Sequence, residues 1–372
     1  MAKGNLYTVR EIGKEWNNEM LEILKQSPIE SKGLTICFDK SPDIFMIPEL
    51  KSQYYKCAGF FKNDELTGFG MLLFYQAYVN GEPKTIAHFC NVYVKKESRN
   101  RGFYFRASDF FFKNLYKDTN LGYTIIMKGN KAAESHINRR NPKFKNLPYS
   151  KVISYLIVKN VLITFRKKES KEYLVRQAGI SDIDKIVSLL RKEFSNRLFA
   201  PLINKETFLI NLEKRPDFDI LNYYIAEDRD KIVGVCAAWD TNSFKQNRII
   251  RYSKKLKLIR NLYSLFGTIF GFPSLPREGE AFKDIVIPEY AVMDRNPKIM
   301  NALLIKIYND CRNKNYNMII FGSCYNDPLL KAVKRFFYQN IVSNIILGST
   351  DKSLIEENKI DISLPYIDVS LL

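Results

Sequence analysis

The sequence predicts an α/β (α+β) protein of two tandem domains, each a mixed, mostly antiparallel twisted sheet flanked by helices. Three observations lead there. The 372 residues are enough for two domains. Alternating apolar runs, broken by turn residues, recur in both halves with amphipathic helical stretches between them. The helix-to-strand unit also repeats with one spacing, since 23 residues separate Gly102 from Ile125 and 23 separate Asn296 from Ile319. The charged stretch "FRKKESKEYLVRQA" between two apolar segments marks the joint and gives domains 1–169 and 170–372.

In the first domain, "VREIGKEWNNEMLEILKQS" sets Ile12, Trp16, Met20, Leu21 and Leu24 on one helical face. Three strand-like runs follow up to "NVYV", separated by the turn-like "KNDELTG" and "VNGEPK". A helix is expected from about Gly102 to Tyr116, then a short buried strand, "GYTIIMKGN", and a further strand region, "VISYLIVKNVLITF". The second domain repeats this order. "YLVRQAGISDIDKIVSLLRKEF" reads as strand, turn and helix, and "YYIAEDRDKIVGVCAAWD" as a hairpin. "FKDIVIPEYAVM" reads as strand, and Pro297 suits the first turn of the next helix. "YNMIIFG" and "LPYIDVSLL" complete the set as strands.

A helical insertion at about 243–277 interrupts the second domain. Its segment "RIIRYSKKLKLIR" carries six basic residues and no acid, and the apolar "NLYSLFGTIFGF" follows directly. That run is too short to span a bilayer. The expectation is a flap with a solvated basic face; the alternative is weak contact with an anionic membrane surface or an acidic partner through residues 248–272.

With 46% hydrophobic and 26% charged residues, the chain is neither disordered nor collagenous. The net charge is +18, of which residues 1–170, with 28 basic and 16 acidic side chains, hold +12. Such a surface attracts nucleic acid, acidic lipid or a phosphorylated ligand. No nucleic-acid-binding motif accompanies the charge, so nucleic acid is not the expected partner. Six cysteines form no C-x-x-C pair, and only His88 and His136 could join them, so no metal site is expected. Cysteines set in apolar runs read as reduced core thiols, which fits a cytoplasmic location, as does an N-terminus without a signal-type apolar run.

The chemistry is carried by "NVYVKKESRNRGFYFRASDFFF". A strand ends at Val94, and Arg99-Asn100-Arg101-Gly102-Phe103-Tyr104 opens a helix. A helix start exposes unpaired N–H groups at the positive end of the dipole, which suits phosphate. Glycine there lets a ligand approach the backbone, and Arg99, Arg101 and Arg106 add charge. Strand, R-x-x-G turn, helix, short buried strand and then Asn130 resemble the acyl-CoA site of the GNAT N-acetyltransferase superfamily. That family's signature, V-x-x-x-x-[RQ]-x-x-G-x-[GA], falls on Val94, Arg99, Gly102 and Tyr104, with Tyr104 departing from the small last residue. The resemblance covers the order of elements over nearly all of the first half. The second half resembles a degenerate copy, because its turn, "MDRNPK", has no glycine and Pro297 removes an N–H.

The resemblance implies an acyl-CoA-dependent N-acyltransferase moving acetyl from acetyl-CoA to a primary amine of a small-molecule or peptide acceptor. Backbone groups at Val92 and Val94 would hold the pantetheine or thioester carbonyl, the turn Arg99–Tyr104 the diphosphate, and Asn130 a further part of CoA. His88 is the candidate base, since imidazole titrates at about 6.5; as a strand residue among Ile86, Cys90 and Val92 it also reads as a satisfied core histidine. The family's Tyr position, seven residues after Asn130, is Ile137 here, which leaves His136 beside it, a Tyr from elsewhere or water as the proton source. Asn130 also reads as a helix N-cap. Two alternatives stand beside the acetyltransferase: a Fem-like aminoacyl transferase using aminoacyl-tRNA, and a non-catalytic acyl-CoA-binding sensor.

Overall fold

The computed structural model describes residues 7–31, 33–99, 101–115, 119–137, 147–357 and 359–372. In the first half the strands are β1 (Tyr7–Ile12), β2 (Ile29–Ser31), β3 (Leu34–Asp39), β4 (Tyr54–Lys62), β5 (Glu65–Val79), β6 (Glu82–Val94), β7 (Leu121–Met127) and β8 (Tyr149–Leu162). The helices among them are α1 (Asn17–Lys25), α2 (Met46–Lys51), α3 (Phe103–Phe110) and α4 (Lys131–Ile137). The second half runs β9 (Leu174–Gln177), α5 (Ile183–Ser195), α6 (Lys205–Lys214), β10 (Tyr223–Asp228), β11 (Lys231–Ala237), β12 (Gln246–Tyr252) and α7 (Lys254–Phe270). It continues through β13 (Asp284–Val286), β14 (Tyr290–Val292), α8 (Pro297–Asn313), β15 (Met318–Cys324), β16 (Tyr338–Ser349) and α9 (Lys352–Glu356).

Nine strands form one sheet in the order β1-β4-β5-β6-β7-β16-β8-β15-β13. The halves exchange strands at its centre. β16 of the second half lies between β7 and β8 of the first, and β8 lies between β16 and β15. Each half keeps one parallel pair, Ala87–Phe89 on Gly122–Thr124 and Asp284–Val286 on Met318–Ile320. The central order is therefore pseudo-symmetric about the β16–β8 seam. The sheet β14-β11-β10-β9 extends the second half, and the small sheet β12-β3-β2 joins the halves, with β12 pairing with β3.

The core follows the alternation of the strands. α3 and the helical turn that continues it lay Phe103, Ala107 and Phe111 on Ala58, Phe60, Leu72 and Phe74 of the first half's sheet. α8 lays Met300, Leu303, Leu304 and Ile307 against β9, β10 and β11. Buried apolar area of this kind supplies most of the driving force for folding.

Three expectations are corrected. Tyr7–Ile12 is an edge strand on β4 rather than part of a helix, and the helical face begins only near Trp16, because the run alternates before it turns periodic at 3.6. "FKDIVIPEYAVM" is broken into β13 and β14, since Pro288 lacks the N–H a continuous strand needs. "LPYIDVSLL" forms no strand. It is buried coil, with Tyr366 N–H donating to Leu198 O at 2.8 Å and Val369 packed in the central core.

Candidate acyl-donor cleft and apolar cavity

β6 and β7 pair only as far as Phe89 and Thr124. Beyond that point β7 continues to pair with β16, while β6 follows β5. The two parallel strands therefore part at their C-terminal ends and leave a wedge between them. A β-bulge sits on β6 at this place, because Phe69 faces Tyr93 but Met71 faces Cys90. Asn91, in the bulge, has a left-handed φ of +53°. Its Oδ1 accepts from Lys40 Nζ at 2.6 Å, which fixes the bulge from outside the strand. Bulges re-aim side chains and end pairing, as this one does.

The turn after β6 is open at its glycine. Gly102 caps α3 with φ +77° and ψ +19°, and a Cβ placed on it would meet no atom within 4 Å. In this backbone region L-residues are strained, so glycine is required where a ligand is to approach. Ser98 in the same turn is buried with its Oγ unpartnered. Arg99 and Arg101 are exposed, and Arg99 Nε donates to Val94 O at 3.2 Å. Arg106 turns back to Tyr7 O at 2.9 Å. Phe103 is buried against Phe60, so it anchors the helix and can offer only its N–H. Open space above Gly102, an unpartnered hydroxyl and the exposed guanidinium groups of Arg99 and Arg101 are chemically compatible with a diphosphate.

The remaining expected residues are placed as follows. Val92 lies in the bulge and is largely exposed, while Val94 is half-buried and pairs with Gly68. Asn130 caps α4, accepting from Ala133 N–H at 3.2 Å. Asn100 lies outside the described residues. Tyr104 and His136 belong by backbone to α3 and α4, and their side chains lie outside the described residues.

His88 sits one residue before the wedge opens. It is 1% exposed, stacks on Tyr123 with centroids 4.4 Å apart, and its Nδ1 is buried without a partner. Tyr123 stacks in turn on Phe199 and shares a hydrogen bond of 2.8 Å with Tyr75. Burial, helped by the positive charges of Lys51 and Lys40, pushes the imidazole well below its usual 6.5. The burial and positive charges that keep His88 neutral also oppose its protonation.

His88 also lines a cavity of about 760 Å³, walled mostly by apolar side chains. Cys90, Ile125 and Met127 flank the wedge, and Leu156, Val158, Ile320 and Ile341 continue the floor across β8, β15 and β16. Ile36 and Phe38 of the small sheet and Leu256 and Ile259 of α7 line it from the connecting side. Two lysines, one buried and one half-buried, and a buried aspartate stand out among the polar groups in and behind the wall. Lys40, 2% exposed, is pushed down to about 8 by burial. Lys245, pushed down to about 7 by burial, donates to Val369 O at 3.1 Å and Ser370 O at 3.0 Å. Asp284, just behind the wall, is pushed up to about 7 by burial and accepts from Asn247 Nδ2 at 2.6 Å. None of these three was found by sequence reasoning. The one available signal was an ionisable residue within an apolar run, "TICFDK" or "FKDIVI".

The corresponding place in the second half is filled. Tyr290 OH donates to Gly322 O at 3.1 Å, bridging β14 to β15. Arg197, 1% exposed at its side chain, reaches Glu193 at 3.5 Å and Asp327 at 3.8 Å. Arg295, from the turn before α8, pairs with the same two carboxylates. Five side chains thus occupy the space that the first half leaves open.

The whole arrangement matches solved structures. Saccharomyces cerevisiae N-myristoyltransferase with bound myristoyl-CoA aligns at a TM-score of 0.58 and 14% identity, over 94% of this chain and 80% of that one. A second structure of it, with myristoyl-CoA and inhibitors, aligns at 0.58 and 14%, over 98% and 86%. A GCN5-related N-acetyltransferase from Anabaena variabilis aligns at 0.49 and 10%, over 93% and 73%, which is too weak a likeness to argue from. No family model matches the sequence, and no curated protein matches it significantly. The chain has the GNAT fold, in a tandem arrangement.

Proposed function

We propose that the chain is an acyl-CoA-dependent N-acyltransferase whose donor binds to the first half alone. The observation that carries this is the wedge between β6 and β7, open and ending at the Gly102 turn, while its counterpart holds the Arg197–Arg295 ion cluster. The Arg99–Tyr104 turn would hold the diphosphate through N–H groups and guanidinium charge, and the edges of the wedge at Val92 and Val94 would hold the pantetheine. A thioester supplies an acyl carbon that an amine nitrogen attacks, with the thiolate leaving. The His88 imidazole, which lines the cavity, would accept the proton the amine loses as the new bond forms. Asn130, whose side-chain and main-chain oxygens accept from the first turn of α4, would contact a further part of CoA, and His136 would protonate the departing sulfur.

Acetyl is the group expected for the donor, with the cavity taking the apolar body of a primary amine. The apolar floor beside His88 favours a second reading, in which a longer acyl chain fills the same space. Titrating the protein with acetyl-, octanoyl- and myristoyl-CoA separates the two. Under the first reading the three bind alike and acetyl-CoA turns over with amines. Under the second, affinity climbs with chain length. Failure of all three to bind or to shift the melting temperature removes the transferase reading, and turnover with aminoacyl-tRNA instead would put the Fem-like alternative in its place. Binding without turnover on a broad amine panel would leave a sensor.

A further inference from the structure

α7 extends for 17 residues, about 25 Å, and turns an apolar face outward. Leu258, Leu262, Leu265, Phe266, Ile269 and Phe270 are each between 48% and 66% exposed. At about 100° per residue they fall in one arc of roughly 140°. Single exposed apolar residues are ordinary on a protein surface; a continuous arc of six on one helix is not. Phe337 and Phe165, 65% and 51% exposed, add to the same side of the molecule, with Phe165 in ring contact with Phe270 at 5.6 Å.

The charge on this helix chooses the occupant. α7 contains no acid, and its N-terminal end carries Lys254, Lys255 and Lys257. Lys257 lies 3.7 Å from Glu278, while Lys254 and Lys255 pair with no carboxylate among the described residues. By the same angular count Lys255 falls within the apolar arc, where a long side chain can lay its stem on the lipid boundary and raise its ammonium to the headgroups. An apolar stripe edged by unpaired lysines, on a chain of net charge +18, is complementary to an anionic lipid surface. No helix among the described residues is long and apolar enough to cross a membrane, so the contact lies in the interface plane.

We infer that α7 docks the protein onto anionic membranes with this face buried at the headgroup boundary. Leu256, Ile259 and Arg260 of the same helix line the apolar cavity, and exposed Phe337 and Tyr338 line it as well. Docking therefore brings the cavity mouth to the lipid surface, where an amphiphilic substrate would be met. The sequence expectation of a solvated flap does not account for this face.

The test is flotation of the full chain with vesicles of phosphatidylcholine mixed with phosphatidylserine, against pure phosphatidylcholine. The protein should float with the mixed vesicles, weakly with the neutral ones, and less as salt rises. Lys254→Gln with Lys255→Gln should weaken partition about thirtyfold, or about 2 kcal/mol. Leu262→Asp with Leu265→Asp should abolish flotation while the protein stays folded with only a small fall in melting temperature, because both side chains are about half exposed. In a Phe266→Trp variant, brominated acyl chains should quench the added emission. Vesicle binding needs no acyl transfer, so this outcome and that of the CoA titrations can differ. Absence of flotation on anionic vesicles, or flotation untouched by both double variants, overturns the inference. So does self-association abolished by Leu262→Asp, which would make the face a contact between two copies.

Discussion

Replacing Gly102 separates the cost of backbone strain from the presence of a ligand. At φ +77° any L-residue is strained by about 1–2 kcal/mol, and nothing lies within 4 Å of a Cβ there, so Gly102→Ala adds strain without a clash. A loss of that size lowers the melting temperature by about 2–8 °C in a domain of 150–250 residues. Gly102→Glu carries the same strain and adds a carboxylate. Like charges about 4 Å apart repel by about 1 kcal/mol in water and about 4 kcal/mol at a protein surface. Against the two charges of a diphosphate the cost is at least about 2 kcal/mol, or about thirtyfold in affinity. Calorimetric titration with acetyl-CoA, with melting curves of all three proteins, reads both quantities. Alanine should lower stability and bind somewhat more weakly; glutamate should be equally stable to alanine and bind at least thirtyfold more weakly than wild type. A folded Gly102→Glu protein that binds as wild type does would refute a diphosphate at this turn.

Other expectations follow from the same geometry. His88→Gln should reduce kcat by about 10²- to 10⁴-fold with little change in KM; an unchanged kcat would leave His88 as a packing residue of the Tyr123 stack. Arg197→Met leaves Asp327 and Glu193 to Arg295 alone in the second half's filled cleft and should cost about 1–3 kcal/mol in denaturant unfolding, with acyl-CoA affinity retained. Lost affinity at full stability would place a donor site there. Asp284 titrates at about 7 in the fold against 3.8 ordinarily, so the folded state holds its proton longer and its contribution is lost as pH rises through 7. Lys245 titrates at about 7 against 10.5, so the unfolded state binds more protons above 7 and stability rises from there to 10.5. Asp284→Asn should flatten the fall between about pH 4 and 7 and keep the alkaline rise, read from unfolding curves across pH. A variant with the wild-type acid limb would contradict that assignment.

Local features were legible. The R-x-x-G turn, the helix that follows it, the cap at Asn130 and the Pro297 helix start all depend on neighbouring residues and stand where the sequence puts them. The exchange of β8 and β16 was hidden, because no local signal tells a strand whether its partner is 35 or 200 residues away. Polar residues buried on those strands, such as Lys159, Ser343 and Asn344, also blur their apolar pattern. The cavity was hidden for the same reason: its wall combines Ile36, His88, Ile125, Val158, Ile259 and Ile341, which only the fold brings together. The filled cleft was half legible. "MDRNPK" showed a poor phosphate turn, but Arg197, which occupies the space, comes from the end of α5, about a hundred residues earlier in the chain.

A crystal structure with acyl-CoA soaked into the full chain bears most directly on the donor site. The account predicts the diphosphate against the Arg99–Tyr104 turn, the pantetheine between β6 and β7, and the thioester next to His88. Density at the Arg197–Arg295 cluster, or a nucleotide bound elsewhere with the Gly102 turn bare, would contradict it.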